Sequence, residues 1–264
     1  MIVISCALYS EAKPIIEHFK LKQIENRSYK IFKNEKFILI VTGIGKVEAA
    51  GAVGYIFGKF DNILSFLNVG IAGHSHLEVG SFVLAHKISD NKRSIYPLIL
   101  FDFEGISKQL ITQDEIEKKY ESDSLYDLEA YSALKTASKF LPFELVHSVK
   151  IISDNKDVDS STVSEKEVSS LISKNLLEIE KILKKLQEIS DEYLSLTSKV
   201  GFSPIFDKWH FSQTEKYKLG EILTKIHALN PKAEILDEHF KKCEKGQDVL
   251  DLLKEKLKKS TLIF

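Results

Sequence analysis

Short runs rich in Val and Ile alternate with helical patterns through the first 154 residues of the chain. Ile2–Ala7, Phe37–Thr42, Leu64–Val69, Phe82–His86 and Val146–Ser153 read as strands, several of them apolar on both faces, as a covered sheet requires. Glu11–Phe19, Lys46–Phe60 and Leu125–Leu141 carry apolar residues at helical spacing. This alternation predicts an α/β sandwich. From about Ser160 the pattern turns helical. Val163–Ile189 reads as one long amphipathic helix, opened by Ser164 and Glu167 at capping-box spacing. A connector at 198–204 precedes three more predicted helices, 213–229, 232–244 and 247–259, separated by Asn230-Pro231 and Gly246. The boundaries predict an α/β domain over 1–189 and a helical extension over 190–264.

Charge narrows the range of partners. The 37 basic and 38 acidic residues leave a net charge of −1, which gives no electrostatic case for nucleic acid or an acidic membrane surface. Only Arg27 and Arg93 are arginines, and arginine is the usual bidentate clamp for phosphate. Two cysteines, Cys6 and Cys243, make neither a disulfide framework nor a zinc cluster. The opening MIVISCALYSEAKP lacks a basic leader, and no run approaches the length of a membrane span. A cytoplasmic protein is expected.

Four features carry candidate chemistry. Glu11 follows the first strand, where a carboxylate can face a cleft and polarise water, although a first-turn Glu also suits the helix dipole. Thr42-Gly43-Ile44-Gly45-Lys46 lies between a strand and a helix, where glycines let backbone N–H groups approach a ligand, or simply make a tight turn. Asn68-Val69-Gly70-Ile71-Ala72-Gly73-His74 reads as a glycine-rich loop after a buried strand, with His74 and His76 as solvated loop histidines rather than metal ligands. Lastly, Tyr126-Asp127-Leu128-Glu129-Ala130 opens a predicted helix, and Ser153-Asp154 closes an apolar strand where open α/β folds place ligand contacts, or where an Asx turn leads away.

In this order, the strand-then-Glu opening, the GIGK turn, NVGIAG, the acid-x-Glu-Ala helix start and the strand ending in Ser-Asp resemble the nucleoside phosphorylase superfamily. The likeness is nearest to the methylthioadenosine/S-adenosylhomocysteine nucleosidases. It covers about residues 1–154, with 163–189 similar to the family's closing helix. It implies a three-layer sandwich around a mixed β-sheet, a nucleoside substrate, no cofactor or metal, and a homo-oligomer such as a dimer. By the same resemblance Asp154 protonates the departing purine, Glu11 activates water, and Glu129 accepts hydrogen bonds from the ribose. Ser153 would hold Asp154, Leu128 would stand under the ribose, and Gly43, Ile71 and Gly73 would line the sugar or anion side.

This chain departs from the family at identifiable points. Ile71 replaces a serine, Asp127 is the remnant of an acidic position, and the stretch between Ile88 and Tyr126 is short. Leu110–Ile116 keeps one strand of that stretch without the family's base-stacking aromatic. Neither arginine lies in a phosphate-binding motif, so hydrolysis is favoured over phosphorolysis. A phosphate-dependent phosphorylase and a non-catalytic nucleoside-binding protein are the alternatives. In the extension, Lys208-Trp209-His210-Phe211 places an aromatic beside basic groups. The alternation of Lys216, Lys218 and Lys225 with Glu215 and Glu221 instead describes a solvated helix face.

Overall fold

Ile2–Cys6 (β1) is buried along its whole length and feeds two cores at once. Val3 points into one core, while Ile2, Ile4 and Cys6 join the other, which is the two-residue alternation of a strand covered on both faces. The computed structural model describes residues 1–90, 92–198, 205, 208–211, 213–229, 240 and 242–261. They divide into two compact units, 1–190 and 191–264.

In the first unit β1 is followed by Tyr9–His18 (α1), Lys22–Glu25 (β2), Lys30–Lys33 (β3), Phe37–Val41 (β4) and Lys46–Lys59 (α2). Ser65–Gly73 (β5), Phe82–Ser89 (β6), Ser94–Ile95 (β7), Ile106–Thr112 (β8) and Leu125–Asp127 (β9) come next. Ala130–Ala137 (α3), Val146–Asp154 (β10), Glu165–Lys174 (α4) and the greater part of Leu176–Ser198 (α5), whose last turns belong to the second unit, complete the series. Parallel pairings join β4 to β1, β1 to β5 and β5 to β10, while β3 and β2 extend the sheet antiparallel beyond β4. Strands β10, β6, β8, β9 and β5 pair in a closed circuit, since β10 also bonds β5. A buried polar ladder helps fix the central register: Ser148 Oγ donates to Asn68 Oδ1 at 2.9 Å, and Asn68 Nδ2 donates to Ser5 Oγ at 3.2 Å.

Helices cover both faces, which gives the expected three layers. Ala49, Ala52, Val53 and Ile56 of α2 pack with Ala133 and Leu134 of α3 on one side. Ala12 and Ile15 of α1, Leu171 and Ile172 of α4, and Ile179 to Leu186 of α5 cover the other. Burying a Leu or Ile side chain of this kind contributes about 1.5–3 kcal/mol.

Several boundaries differ from the sequence expectation. β5 runs to Gly73, so Gly70–Gly73 is strand rather than loop, because β10 pairs with it as far as Asp154. The helix expected from Leu125 begins only at Ala130. Before it, Leu110, Ile111 and Thr112 pair with Leu125, Tyr126 and Asp127 and hold that stretch as β9. The long helix expected over Val163–Ile189 breaks at Asn175, whose amide donates to Leu171 O at 2.9 Å and to Gly80 O at 3.1 Å. A side chain that bonds backbone carbonyls in this way competes with the helix. The Ser164–Glu167 capping box forms as expected.

In the second unit the described elements are Gln213–Leu229 (α6) and Gly246–Thr261 (α7). Trp209, Phe211, Leu219, Leu223, Phe240 and Leu250 form its apolar core, and Trp209 Nε1 donates to Cys243 O at 2.9 Å. The helix expected at 232–244 lies mostly outside the described residues, as does the connector at 199–204. Among the described residues no helix is long and apolar enough to cross a membrane.

Candidate active site

The carboxyl ends of the parallel strands, where the sheet turns toward its helices, open onto one cavity of about 230 Å³. Glu11, Ile71, Gly73, Leu128, Glu129, Ser153 and Asp154 all line it. Gly43 does not. Its backbone is left-handed at φ 89°, its N–H bonds Ala7 O, and a β-carbon there would meet Glu48. The glycine turn instead reaches the site through Gly45, whose N–H donates to Glu129 Oε1 at 2.8 Å. Lys46 pairs with Asp114 at 2.8 Å.

Glu11 is 2% exposed and bridges two elements. Its Oε2 accepts from Leu8 N–H and its Oε1 from Ile71 N–H, each at 2.9 Å. At residue 71 the backbone, rather than a side-chain hydroxyl, therefore holds the glutamate. Gly70 lets the carboxylate lie against β5, since a β-carbon there would come within 2.9 Å of Glu11 Oε1. Burial pushes the Glu11 pKa up, opposed by Lys150 and the two N–H donors.

Lys150 is the residue that the sequence pattern missed. It lies inside β10 with its side chain 2% exposed, and its Nζ is 2.9 Å from Asp127 Oδ2, on a side chain 1% exposed. Asp127 also accepts from Thr112 Oγ1 at 2.6 Å and from Ala130 N–H at 2.8 Å. Burial pulls the Lys150 ammonium down in pKa, but Asp127, Glu129 and Glu11 outweigh it and raise the net value. The available signal was a lysine set between Val149 and Ile151 in a doubly covered strand, which requires buried carboxylates.

Glu129 precedes α3 and is 8% exposed. Burial, with Asp127 next to it, raises its pKa to about 7. An unfolded glutamate titrates near about 4.3, so this contribution to stability is intact below about 4.3 and lost as pH rises through about 7. Wild type should lose up to about 4 kcal/mol more than Glu129→Gln across that window. Denaturant unfolding at stepped pH measures the difference, and parallel pH profiles of the two proteins would refute the assignment.

Asp154 closes β10 with both oxygens engaged. Oδ1 accepts from Ser153 Oγ and Oδ2 from the Tyr120 hydroxyl. Tyr120 is also new to the site, carried on the 113–124 segment between β8 and β9. Nearby, His74 is fully buried, in contrast to the solvated loop residue expected. Its Nδ1 accepts from His76 and Leu77 N–H at 3.2 and 3.1 Å. A neutral His74 therefore carries its proton on Nε2, which lies 3.1 Å from Asp123 Oδ1. His76 Nε2 lies 3.5 Å from the same oxygen, so the three residues are close enough to surround a metal ion. The protonated Nε2 offers no lone pair for one, and Lys108 already pairs with Asp123. The cluster ties the 113–124 segment to β5 and β8.

No family model matches the sequence, and no curated protein matches it. Solved structures do match in shape. A methylthioadenosine/S-adenosylhomocysteine nucleosidase from S. pneumoniae, solved with a transition-state inhibitor, superposes with a TM-score of 0.57 at 16% identity, over 69% of this chain and 98% of that one. The fold is that of the nucleosidases. Futalosine hydrolase of Helicobacter pylori shares it at a TM-score of 0.54 and 17% identity, over 71% and 97% of the two chains. The nucleosidase of Colwellia psychrerythraea, in complex with adenine, gives 0.55 and 17% over 67% and 94%. The nucleosidase fold thus accounts for the sheet and the helices flanking it. The resemblance drawn from the ordered motifs is borne out at that level.

Proposed function

We propose that the chain is a nucleosidase that hydrolyses the N-glycosidic bond of a purine-type nucleoside or 5′-substituted adenosine. One observation carries the reading. Glu11, Glu129 and Asp154 come from three distant segments and converge on one cavity, whose lining among the described residues includes no lysine or arginine. Carboxylates facing a sugar stabilise positive charge at C1′ and repel a phosphate dianion. Arg27 and Arg93 are exposed and stand outside the cavity, which supports water as the attacking group.

The C1′–N bond breaks with its electron pair going to the base, and Asp154 delivers a proton to the base nitrogen. Water adds its oxygen to C1′ and gives a proton to Glu11. Burial makes Glu11 a stronger base than an exposed glutamate, which suits this role. Glu129, fixed by Gly45, accepts from the ribose hydroxyls. Leu128 and Ile71 supply apolar walls, Gly73 leaves room beside Asp154, and Ser153 orients the acid.

Base release from methylthioadenosine, S-adenosylhomocysteine, 5′-deoxyadenosine, adenosine and inosine tests the reading, with and without phosphate. Release from at least one of them without phosphate is expected. Release that requires phosphate would make the protein a phosphorylase. Binding without release would make it a nucleoside-binding protein.

A further inference from the structure

Tyr120 occupies one of the two carboxylate oxygens of Asp154. Its hydroxyl donates to Asp154 Oδ2 and the residue is 5% exposed. Its ring lies against Gly73, where a β-carbon would come within 2.7 Å of Tyr120 Cε1 and 2.5 Å of Asp154 Oδ2. The Tyr120 backbone is left-handed at φ 47°, a conformation that bulky side chains rarely adopt and that surrounding contacts must hold. Those contacts include the Asp154 bond and an edge-on Tyr126 ring at 5.9 Å. Three residues on, Asp123 pairs with Lys108 and faces His74 and His76.

Two consequences follow for the site. With Ser153 on Oδ1 and Tyr120 on Oδ2, both oxygens of Asp154 accept from hydroxyls. A base nitrogen that is to meet Oδ2 therefore competes with the phenol for it. The cavity of about 230 Å³ also falls below the range of about 300–1,000 Å³ usual for small-molecule sites. Tyr120 is among the residues that line it, so displacing the ring enlarges the site.

We propose that Tyr120 is a positioning and specificity-determining gate, whose phenol holds Asp154 in the empty site and yields that oxygen to the nitrogen base of a bound nucleoside. The proposal rests on the nucleosidase reading. Exchanging the phenol for the base frees Oδ2, so Asp154 faces a base nitrogen only when a leaving group is in place. A base must present a polar nitrogen at Oδ2 to replace the phenol. Gly73 permits the exchange because a larger residue would fill the space the ring and carboxylate share.

Tyr120→Phe keeps the ring and removes the competing hydroxyl. Hydrogen bonds to charged groups are strong enough that KM for methylthioadenosine and Kd for adenine should each fall about tenfold, without a matching rise in kcat. A purely structural tyrosine would leave both constants unchanged or raise them. That result, with wild-type turnover intact, overturns the gate alone. Loss of adenine binding in Tyr120→Ala, with Tyr120→Phe unchanged, would make the ring a fixed wall and overturn it as well. Adenine binding by Tyr120→Phe where wild type shows none supports the gate. Absence of adenine binding and base release in both proteins overturns the gate together with the nucleosidase reading.

Discussion

Asp154→Asn is expected to lower base release by about 10³-fold, within the about 10²–10⁴-fold usual for a positioned general acid. The asparagine retains an acceptor oxygen for one of the two hydroxyls that now bond the carboxylate, so the end of β10 should hold its shape. What it loses is the proton for the departing base. The loss should therefore depend on the leaving group. A ribosyl p-nitrophenol departs as a stable phenolate and needs little protonation, so Asp154→Asn should cost far less on it than on a purine nucleoside. Glu11→Gln should cost a similar factor on both substrates, because the attacking water is common to them. An Asp154→Asn loss of less than tenfold on the purine nucleoside, with wild type active, would remove Asp154 from the acid role.

The contrast between these variants shows what the sequence could carry and where it fell short. Glu11 and Asp154 were legible because each ends or follows a predicted strand, and strand ends in this class of fold converge, whereas Glu129 was carried by the resemblance of the Asp127-Leu128-Glu129-Ala130 helix start. The strand cores were legible from short runs rich in Val, Ile, Leu and Phe. β9 was not, since three residues pairing with β8 leave no periodic trace beside an adjoining helix. The break at Asn175 also lacked the usual Gly or Pro, because a side-chain amide bonded to Gly80 O and Leu171 O causes it. His74 read as solvated because burial of a polar ring depends on donors supplied by the following turn. Tyr120 had no local signal at all. Its meaning comes from Asp154, 34 positions away.

Lys150 is the residue whose removal should most damage the fold. Its ammonium lies in a nearly closed interior with Asp127 at 2.9 Å, and Glu11 and Glu129 also act on it. Lys150→Met would strand these carboxylates, and breaking a buried pair costs about 3–5 kcal/mol. Thermal unfolding at neutral pH should then fall by about ten degrees, taking about 2–4 °C per kcal/mol for a unit of this size. The pH dependence has a definite sign. Burial already raises the Glu11 and Glu129 pKa values, and loss of the cation raises them further, so the native variant binds more protons than its unfolded chain. Its deficit relative to wild type should shrink as pH falls below about 7 and grow as pH rises toward it. Asp127→Asn in the same background removes one stranded charge and should restore part of the loss, a coupling readable by a double-mutant cycle. If Lys150→Met unfolds with the wild-type midpoint at neutral pH, the buried Lys150–Asp127 pair is not what ties β10 to β9.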